Sequence, residues 1–512
     1  MMAMAGEPVL NLDDIQGNVV PGFKKDYQHM LFFRLGDVAK ARPWLAQLSG
    51  RIWSARQTVL AHALWKAKRA QLDAEPDDLQ LILIAVALTA QGLRKLGAAF
   101  DPAGFADEAF KNGLTAGKSG LLGDPTAAHD PGAAANWLVG GSNGRAVDLL
   151  VIAASDDRVW IEEATAKLIA GAKAADVALV HRDNGAVLAG AMAGHEPFGF
   201  KDGISQPSLR GVWPGTGEPV AMREWPADAQ YDELRQDFAS PGSPLVWPGH
   251  FLFGYPKCRD RAPREPAAGP IGPDWATNGS FVVYRRLRQD VAGFQALIAQ
   301  QTGRLKAAHP GLDEEKLGAL LVGRWKSGTP VERAPDRDIG LTGDPANYFR
   351  YAEQTTVALP GDAAPLNLAD RDGARCPMSA HIRKVNPRDQ ETDIGPADQT
   401  LAKTLLRRGI PFDNSAQIEG DVGLIFIAYQ SSIEEQFEFL TRNWINQPDR
   451  PRAGGGVDPL LAAGIRPNAA VTITIDGAAE SVPLAKRLVV PTGGVYLFAP
   501  SLSAFRAMTA AP

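Results

Sequence analysis

Cysteine is almost absent from this sequence, and its scarcity limits the kinds of site that the chain can build. Cys258 and Cys376 are the only two cysteines among 512 residues. Two thiols are too few for a disulfide framework or for a cysteine-rich zinc site. So low a cysteine content fits a reducing compartment.

Long apolar runs and a strong charge of one sign are missing as well. The longest apolar run lies near residues 79–88, is interrupted by Gln80 and falls far below the roughly 20 residues that span a bilayer. The opening MMAMAGEPVLNLDDIQ has no basic stretch followed by a long apolar one, so no signal peptide is evident and we expect a cytoplasmic protein. The formal net charge of −5 gives no electrostatic reason to expect nucleic acid or an anionic membrane as a partner.

What the sequence does contain is a repeated pattern of a buried strand followed by an amphipathic helix. Each of five apolar runs is followed by a segment with helical spacing, and a sixth run closes the series; the runs cover residues 30–35, 79–87, 147–153, 281–284, 424–429 and 495–499. Runs of this length predict strands that are covered on at least one face by helices.

Two pairs of segments suggest an internal duplication. MLFFRLGDVAKARPWLAQL resembles FVVYRRLRQDVAGFQALIAQ, and LILIAVALTAQGLRKL resembles LIFIAYQSSIEEQFEFL. We interpret them as two α+β halves, each an antiparallel sheet with helices on one face. The alternative is that any α/β protein offers such pairs.

The predicted domains follow from this duplication. They are an N-terminal half over 1–212, a Pro/Gly-rich connection over 213–278 and a C-terminal half over 279–512. The connection and a second such stretch over 330–378 have the composition of loops rather than of core elements. Because loops of this length are usually functional or disordered, we expect both to wrap around a site.

A glycine-rich segment, GHEPFGFKDGISQPSLRG, is the first candidate for chemistry. In it, Gly199 and Gly203 bracket Phe200 and Asp202. Glycines let the backbone approach a ligand closely and present the carboxylate on a tight turn. The alternative is a plain β-turn in which Asp and Gly have their usual roles.

A histidine among cations is the second candidate. The eight histidines form no HExxH or other close pair, so a multi-histidine metal site built from local sequence is not expected. In RCPMSAHIRKVNPRDQ, however, His381 is followed by Arg383, Lys384 and Arg388. Such cations suit an anionic ligand and would keep the imidazole neutral and able to bind metal. The alternative is a solvated basic helix end, and the two arginines of LLRRGIPFDN have a similar explanation as cations at a helix C-terminus.

Taken together, these segments resemble the dye-decolourising peroxidase family. GFKDGISQP resembles the family's GxxDG signature, here Gly199, Asp202 and Gly203, and CPMSAHIRKVNPR resembles the segment that carries the proximal histidine, here His381. The segments DIQGNVVPGFKKDYQHMLFFRLGD and GLIFIAYQ also resemble family segments. The resemblance therefore spans nearly the whole chain, with the motifs in the family's order.

A further segment, LLRRGIPF, resembles the one that carries the family's distal arginine. Aligning its trailing I-P-F places that role on Arg407, with Arg408 as the alternative. Proximal histidines usually donate Nδ1–H to a carboxylate. Glu434, Glu435 and Asp458 are the candidates for that carboxylate.

The resemblance implies a fold and an activity. The fold is α+β, with two ferredoxin-like halves of the dimeric α+β-barrel type and haem held mainly by the second half. The enzyme is a peroxidase that uses hydrogen peroxide to oxidise dyes and other aromatic electron donors through a ferryl (compound I) intermediate. The cofactor is haem b, bound non-covalently because the chain has no Cys-x-x-Cys-His pattern. The sequence leaves the oligomeric state open.

The resemblance also implies roles for individual residues. His381 binds the haem iron, Asp202 moves the peroxide proton between the two oxygens, and Arg407 stabilises the charge that develops as the O–O bond breaks. Further cofactor-binding positions are His195, Gly199, Phe200, Gly203, Arg383 and Asn386. A carboxylate base with the ordinary aspartate pKa of about 3.9 predicts an optimum at roughly pH 3.5–5.5.

Two other functions are weighed against this one. A haem-binding or iron-release protein would have no need of the Asp202 and Arg407 pair. Another haem enzyme of the same fold, such as a chlorite-decomposing one, would lack the GxxDG signature.

Overall fold

The computed structural model of the chain describes residues 7–72, 81–141, 145–226, 228–259, 262–267, 269–355, 357–359, 362, 368–462, 464 and 468–510. Residues 1–6 of the opening segment and residues 79–80 of the second apolar run lie outside the described residues. No helix in the described part of the chain is long and apolar enough to cross a membrane.

The N-terminal part of the chain alternates strands and helices up to residue 186. Its elements are β1 (Tyr27–Leu35), α1 (Val38–Ser49), α2 (Ala55–Leu72), β2 (Leu83–Leu88), α3 (Ala90–Leu96), α4 (Glu108–Asn112), α5 (Ala116–Leu121), β3 (Val139–Gly140), β4 (Leu149–Ser155), α6 (Arg158–Ala174) and β5 (Val177–Ala186). The following connection holds short elements only: β6 (Ser208–Leu209), α7 (Asp232–Asp237), β7 (Phe238–Ser240), β8 (Ser243–Val246), β9 (Cys258–Arg259) and β10 (Ala262–Pro266).

The C-terminal part returns to long strands and helices. Its elements are β11 (Ser280–Gln289), α8 (Val291–Leu305), α9 (Glu314–Val322), α10 (Gly343–Asn347), α11 (His381–Val385), β12 (Leu406–Arg407), β13 (Ile410–Asp413), β14 (Val422–Gln430), two π-helical segments (Ile433–Glu438 and Leu440–Ile445), β15 (Ala470–Ile475), β16 (Ala478–Pro483), β17 (Val489–Ala499) and α12 (Leu502–Thr509). Short 3₁₀ turns occupy Ala98–Phe100, Pro102–Gly104, Ala134–Asn136, Gly190–Met192, Ala229–Tyr231, Pro248–His250, Asp274–Ala276 and Ala397–Lys403.

A capping residue starts the helix after each main strand. The side chains of Asp37, Asp157, Asp290 and Ser432 each accept a hydrogen bond from a backbone N–H in the first turn of the following helix. Such caps satisfy N–H groups that have no partner inside the helix. The strand-to-helix junctions predicted from the apolar runs are therefore fixed by local sequence.

The long strands form one sheet that closes into a barrel. Its order is β12–β14–β11–β17–β2–β4–β1–β5, with β13 also paired with β14. β5, the strand at the far end of this order, lies against β13. At this contact a Cβ on Gly185 would come within 2.3 Å of Ile410 Cγ2. The bare glycine backbone thus permits the approach that completes the barrel, because any side chain there would clash.

The two halves of the barrel share the predicted ferredoxin-like strand order. In the N-terminal half the first strand, β1, lies between β4 and β5, and in the C-terminal half the first strand, β11, lies between β14 and β17. The predicted α+β fold and the pairing of β1–α1 with β11–α8 are confirmed. The sheet crosses both halves without a break, so the domain bounds 1–212, 213–278 and 279–512 stay a prediction.

The second predicted pair of repeats is wrong. By its place in the sheet β14 corresponds to β4, and not to β2, with which its sequence was matched. Both β2 and β14 are apolar runs followed by a helix, and that pattern alone does not tell the second strand of a half from the third.

The Pro/Gly-rich connection also differs from expectation. Phe251 and Leu252 are fully buried in the core inside the barrel, although the composition predicted loops outside the core. Proline and glycine prevent long elements here, but the apolar side chains between them are still removed from water. Among the described residues, neither 213–278 nor 330–378 contributes to the lining of the large cavity described next.

Candidate active site

A cavity of about 350 Å³ opens between the barrel and the C-terminal helices. Its walls are mostly apolar, and Leu287, Val385, Phe426, Phe437, Leu440 and Leu460 are among the residues that line them. His381, Asp202 and Arg407 also line it. The structure therefore brings into one place three side chains that are up to 205 positions apart in the sequence.

His381 is the first residue of α11, and its ring is fixed by a carboxylate. Nδ1 lies 2.8 Å from Oδ2 of Asp458, which is fully buried. The other oxygen of Asp458 accepts the backbone N–H groups of Leu460 and Leu461, each at 2.9 Å. Within the described part of the chain Nε2 has no hydrogen-bond partner, so its lone pair is available to a metal ion.

Each member of the His381–Asp458 pair shifts the pKa of the other. Burial works to raise the pKa of Asp458, but contact with His381 and the two backbone N–H groups outweigh it and lower that pKa. Burial works to lower the pKa of His381, but the charge and the hydrogen bond of Asp458 outweigh it and raise that pKa. A carboxylate partner of this kind orients a ligating histidine and makes it more basic.

The other two carboxylates considered for this role lie elsewhere. Glu435 forms an ion pair with Lys403 at 2.8 Å, and Glu434 accepts the backbone N–H of Glu108 at 3.2 Å. The sequence could not choose among the three, because Asp458 is 77 positions from His381.

Asp202 stands on a tight turn, as the glycines predict. Gly199 and Gly203 have φ values of +97° and +75°, a region that side chains with a Cβ rarely adopt. Asp202 Oδ1 accepts the N–H of Gly203 at 2.6 Å, and Asp202 N–H donates to the carbonyl of Gly194 at 3.1 Å. Among the described residues no cation forms an ion pair with this carboxylate, which is exposed to the cavity.

The two adjacent arginines, Arg407 at the end of β12 and Arg408 directly after it, have different partners. Arg407 lines the cavity and donates from its guanidinium to the carbonyl of Ser205 at 2.9 Å. Arg408 instead donates to the carbonyls of Asn18 and Val19 at 3.1 and 2.8 Å. The geometry thus supports the choice of Arg407 made from the I-P-F alignment, since only Arg407 reaches the site.

Two further arginines lie beside Arg407: Arg388, one of the cations noted after His381, and Arg324, which the sequence did not single out. Arg324 and Arg388 line the cavity and both donate to Oγ of Ser205, at 3.0 and 3.1 Å. Among the described residues, neither has a carboxylate within ion-pair distance. Burial lowers the pKa of Arg324 to about 9, and the positive charge of Arg388 adds to this effect.

Positive charge in excess at the wall of a cavity calls for an anionic ligand, because a buried cation without a counter-ion is costly. We refer to Asp202, Ser205, Arg324, Arg388 and Arg407 as the distal cluster. His381, Lys384 and Asp458 form the proximal cluster.

Comparison with known families identifies the chain. The family model described as the DyP dimeric alpha+beta barrel domain matches residues 14–187, and the one described as Dyp-type peroxidase, C-terminal, matches residues 258–453. Together they cover more than half of the chain. The chain belongs to the dye-decolourising peroxidase family. It is therefore a peroxidase, and a haem cofactor comes with membership of the family.

Individual relatives agree with the family assignment. Dye-decolorizing peroxidase msp1 of Mycetinis scorodonius is 29% identical over 97% of this chain and 87% of its own length. A solved structure of a dye-decolorizing peroxidase in complex with 2,6-dimethoxyphenol is 27% identical, covers 98% of this chain and 100% of its own, and superposes with a TM-score of 0.70. A deferrochelatase of Yersinia pestis is 35% identical, but over only 36% of this chain and 32% of its own length.

The cavity of this peroxidase suits haem on its own chemistry. Haem is a flat apolar ring with an iron atom at its centre and two carboxylates at its edge. The cavity offers apolar walls, an imidazole with an open Nε2 and a group of arginines without carboxylate partners. Phe200, Gly203 and Asn386 also line it, as expected for cofactor-binding positions.

Three of the expected cofactor-binding residues do not line the cavity. His195 has both ring nitrogens near backbone carbonyls, those of Ala193 at 3.1 Å and Lys326 at 3.2 Å. Gly199 shapes the turn without reaching the cavity. Arg383 is buried beneath α11, where its guanidinium donates to Asp370 at 2.9 Å.

The expectation that cations cluster around His381 is also wrong. Arg383 and Lys384 point away from its ring toward other partners. Of the three cations after the histidine, only Arg388 lines the cavity.

Proposed function

We propose that this peroxidase binds haem b non-covalently, with Nε2 of His381 as the iron ligand. The His381–Asp458 contact supports this role, because it leaves Nε2 open toward the cavity and supplies the carboxylate that proximal histidines use. The arginines of the distal cluster, Arg324 and Arg388, would pair with the haem carboxylates, since guanidinium–carboxylate contacts are strong and directional.

Two other members of the distal cluster, Asp202 and Arg407, would act on the peroxide. Iron with one open coordination position supplies the place where peroxide binds and the capacity to accept oxidising equivalents. Asp202 would take the proton from the first peroxide oxygen and return it to the second. Arg407, permanently charged and with several donors, would stabilise the negative charge that develops on the leaving oxygen.

The reducing substrates of this chain would be dyes and other aromatic electron donors. This proposal rests on the names of its relatives and on the phenol present in one solved relative. Bulky dyes do not fit a cavity of about 350 Å³ that haem would fill. Electrons from such donors would therefore reach the cofactor through the protein or at the cavity's mouth.

The observation that carries the proposal is the presence of Asp202 and Arg407 on the same cavity as His381, whose Nε2 has no hydrogen-bond partner among the described residues. An iron-release protein has no need of this pair. The test is incubation of the haem-loaded protein with an anthraquinone dye, with and without hydrogen peroxide. We expect bleaching only with peroxide and only with haem, with the porphyrin still holding its iron. Release of iron-free porphyrin without dye bleaching would support the iron-release function instead.

A further inference from the structure

Lys384 is a buried lysine with an unusual set of partners. It lies three residues after His381 on α11, and its side chain extends away from the imidazole ring toward a neighbouring loop. The residue is 1% exposed. Among the described residues, no carboxylate forms an ion pair with its ammonium group.

The ammonium is held by backbone carbonyls of a single loop. Nζ donates to the carbonyls of Gln447, Arg450 and Gly456 at 2.8, 2.5 and 2.7 Å. An ammonium has three N–H donors, and all three are used. Burial lowers the pKa of Lys384 to about 8, but the three carbonyls favour the charged form that donates to them.

The loop that Lys384 fills runs from the last π-helical segment to the carboxylate behind His381. Its ends meet where Asp458 N–H donates to the carbonyl of Ile445 at 2.9 Å. Gly456 N–H donates to the carbonyl of Pro448 at 3.2 Å, which narrows the loop further. The three carbonyls therefore converge on one point inside a closed loop, and that point is occupied by the lysine ammonium.

We propose that Lys384 is a positioning residue for the proximal cluster, holding the 445–458 loop closed so that Asp458 stays on Nδ1 of His381. One helix thus places both the imidazole and the tether of its carboxylate partner. The consequence for the iron rests on the proposed role of His381 as its ligand. The effect on the loop does not, because the contacts exist without the cofactor.

The first test uses the haem-free protein. Lys384→Met keeps the length of the side chain and removes all three donors. The Leu460 and Leu461 amides, which donate to Asp458, should exchange with deuterium at least about 10-fold faster, since local opening then costs less. Arg450→Ala is the matched control, because it removes an exposed tie of the same loop to Asp393. Exchange in that variant should stay close to wild type.

The second test measures two properties of the iron in the haem-loaded protein, the iron–histidine stretching frequency and the Fe(III)/Fe(II) potential. Loss of the carboxylate contact makes His381 a weaker donor, so Lys384→Met should lower the iron–histidine stretching frequency of the ferrous protein and raise the Fe(III)/Fe(II) potential. If Lys384 acted through its charge alone, the Lys384→Met substitution would lower the Fe(III)/Fe(II) potential instead, because losing a cation favours Fe(III). A lowered potential, or an unchanged stretching frequency, would therefore overturn the proposal.

Amide exchange and the haem spectrum distinguish a failure of the positioning role of Lys384 from a failure of the assignment of His381 as the iron ligand. If His381 were not the ligand, His381→Ala would keep its haem spectrum while the exchange effect of Lys384→Met persisted. Should Lys384→Met fail to fold, Lys384→Arg takes its place, because a planar fork does not match three carbonyls arranged for an ammonium. Wild-type protection of the Leu460 and Leu461 amides in either variant contradicts the positioning role.

Discussion

The two sides of the cavity differ in how their carboxylates and cations are paired. In the proximal cluster, Asp458 has contacts on both oxygens and Lys384 uses all of its donors. In the distal cluster, Asp202 faces the cavity without a cation. Arg324 and Arg388 donate to backbone carbonyls and to Oγ of Ser205, but among the described residues neither has a carboxylate partner.

This difference indicates that the two clusters have different tasks. Groups whose hydrogen bonds are already made hold a ligand in one orientation and change little during a reaction. Charged groups without an ionic partner in the protein can bind an incoming anion or proton and stabilise the charge that develops during a reaction. On the proposed assignment, the proximal cluster holds the iron ligand in one geometry, and the distal cluster binds incoming anions and moves protons.

The largest effect should come from removing the proximal ligand. His381→Ala should lose most of its haem, or keep it with an altered spectrum, because Nε2 of His381 is the protein's proposed bond to the iron. Haem content by acid–butanone extraction and the Soret band measure this. His195→Ala is the matched control and should keep its haem, since His195 does not line the cavity. Full, spectrally unchanged haem in His381→Ala would refute the assignment.

Removing the distal carboxylate should leave the cofactor in place and slow its reaction with peroxide. Asp202→Asn should lose on the order of 10²- to 10⁴-fold in rate, the usual contribution of a general base. The wild type should work best in mildly acid solution, and the variant should lose that pH profile. Stopped-flow mixing across a pH series measures both. A wild-type optimum above pH 7, or a variant with unchanged rate and profile, would rule out Asp202 as the base.

The arginine pair gives a sharper internal comparison. Arg407→Leu should slow the reaction with peroxide by about 10²-fold or more while haem content persists, since Arg407 is not a ligand. Arg408→Leu should react at close to the wild-type rate, because Arg408 does not line the cavity. If the slow variant proves to be Arg408→Leu, the assignment within the pair is reversed.

The smallest effect should follow from loosening the distal cluster without removing a charge. Ser205→Ala deletes the hydroxyl shared by Arg324 and Arg388. The rate with peroxide should fall roughly two- to ten-fold, as expected for hydrogen bonds that the cavity's water can partly replace. Single-turnover rates measure this. A loss as large as that of Arg407→Leu would show that the serine does more than orient the arginines.

The sequence predicted the strands and helices better than it predicted which strands pair with one another. Apolar runs followed by capped helices located the strands, because burial and capping are local properties. The match of β2 with β14 failed because strand order is decided by packing across the whole barrel. Asp202, His381 and Arg407 could be found from motifs, and all three line the cavity.

Contacts between distant segments were beyond the sequence. Arg383 was expected at the cofactor and instead forms a buried network under α11. Arg324 follows α9 with no motif around it, and only the fold places it beside Ser205. Asp458 could be named as one of three candidates, but the choice depended on how the 445–458 loop folds around Lys384.

The most direct measurement is the visible spectrum of the purified protein before and after one equivalent of hydrogen peroxide, for wild type and Arg407→Leu side by side. We expect the same Soret band in both before peroxide, because the proximal cluster is intact. After peroxide the wild-type spectrum should change at once and return when an aromatic donor is added, while that of Arg407→Leu should change far more slowly. Equal rates in the two proteins, or a wild-type spectrum that peroxide leaves unchanged, would contradict the claim that the proximal cluster holds the haem and the distal cluster acts on the peroxide.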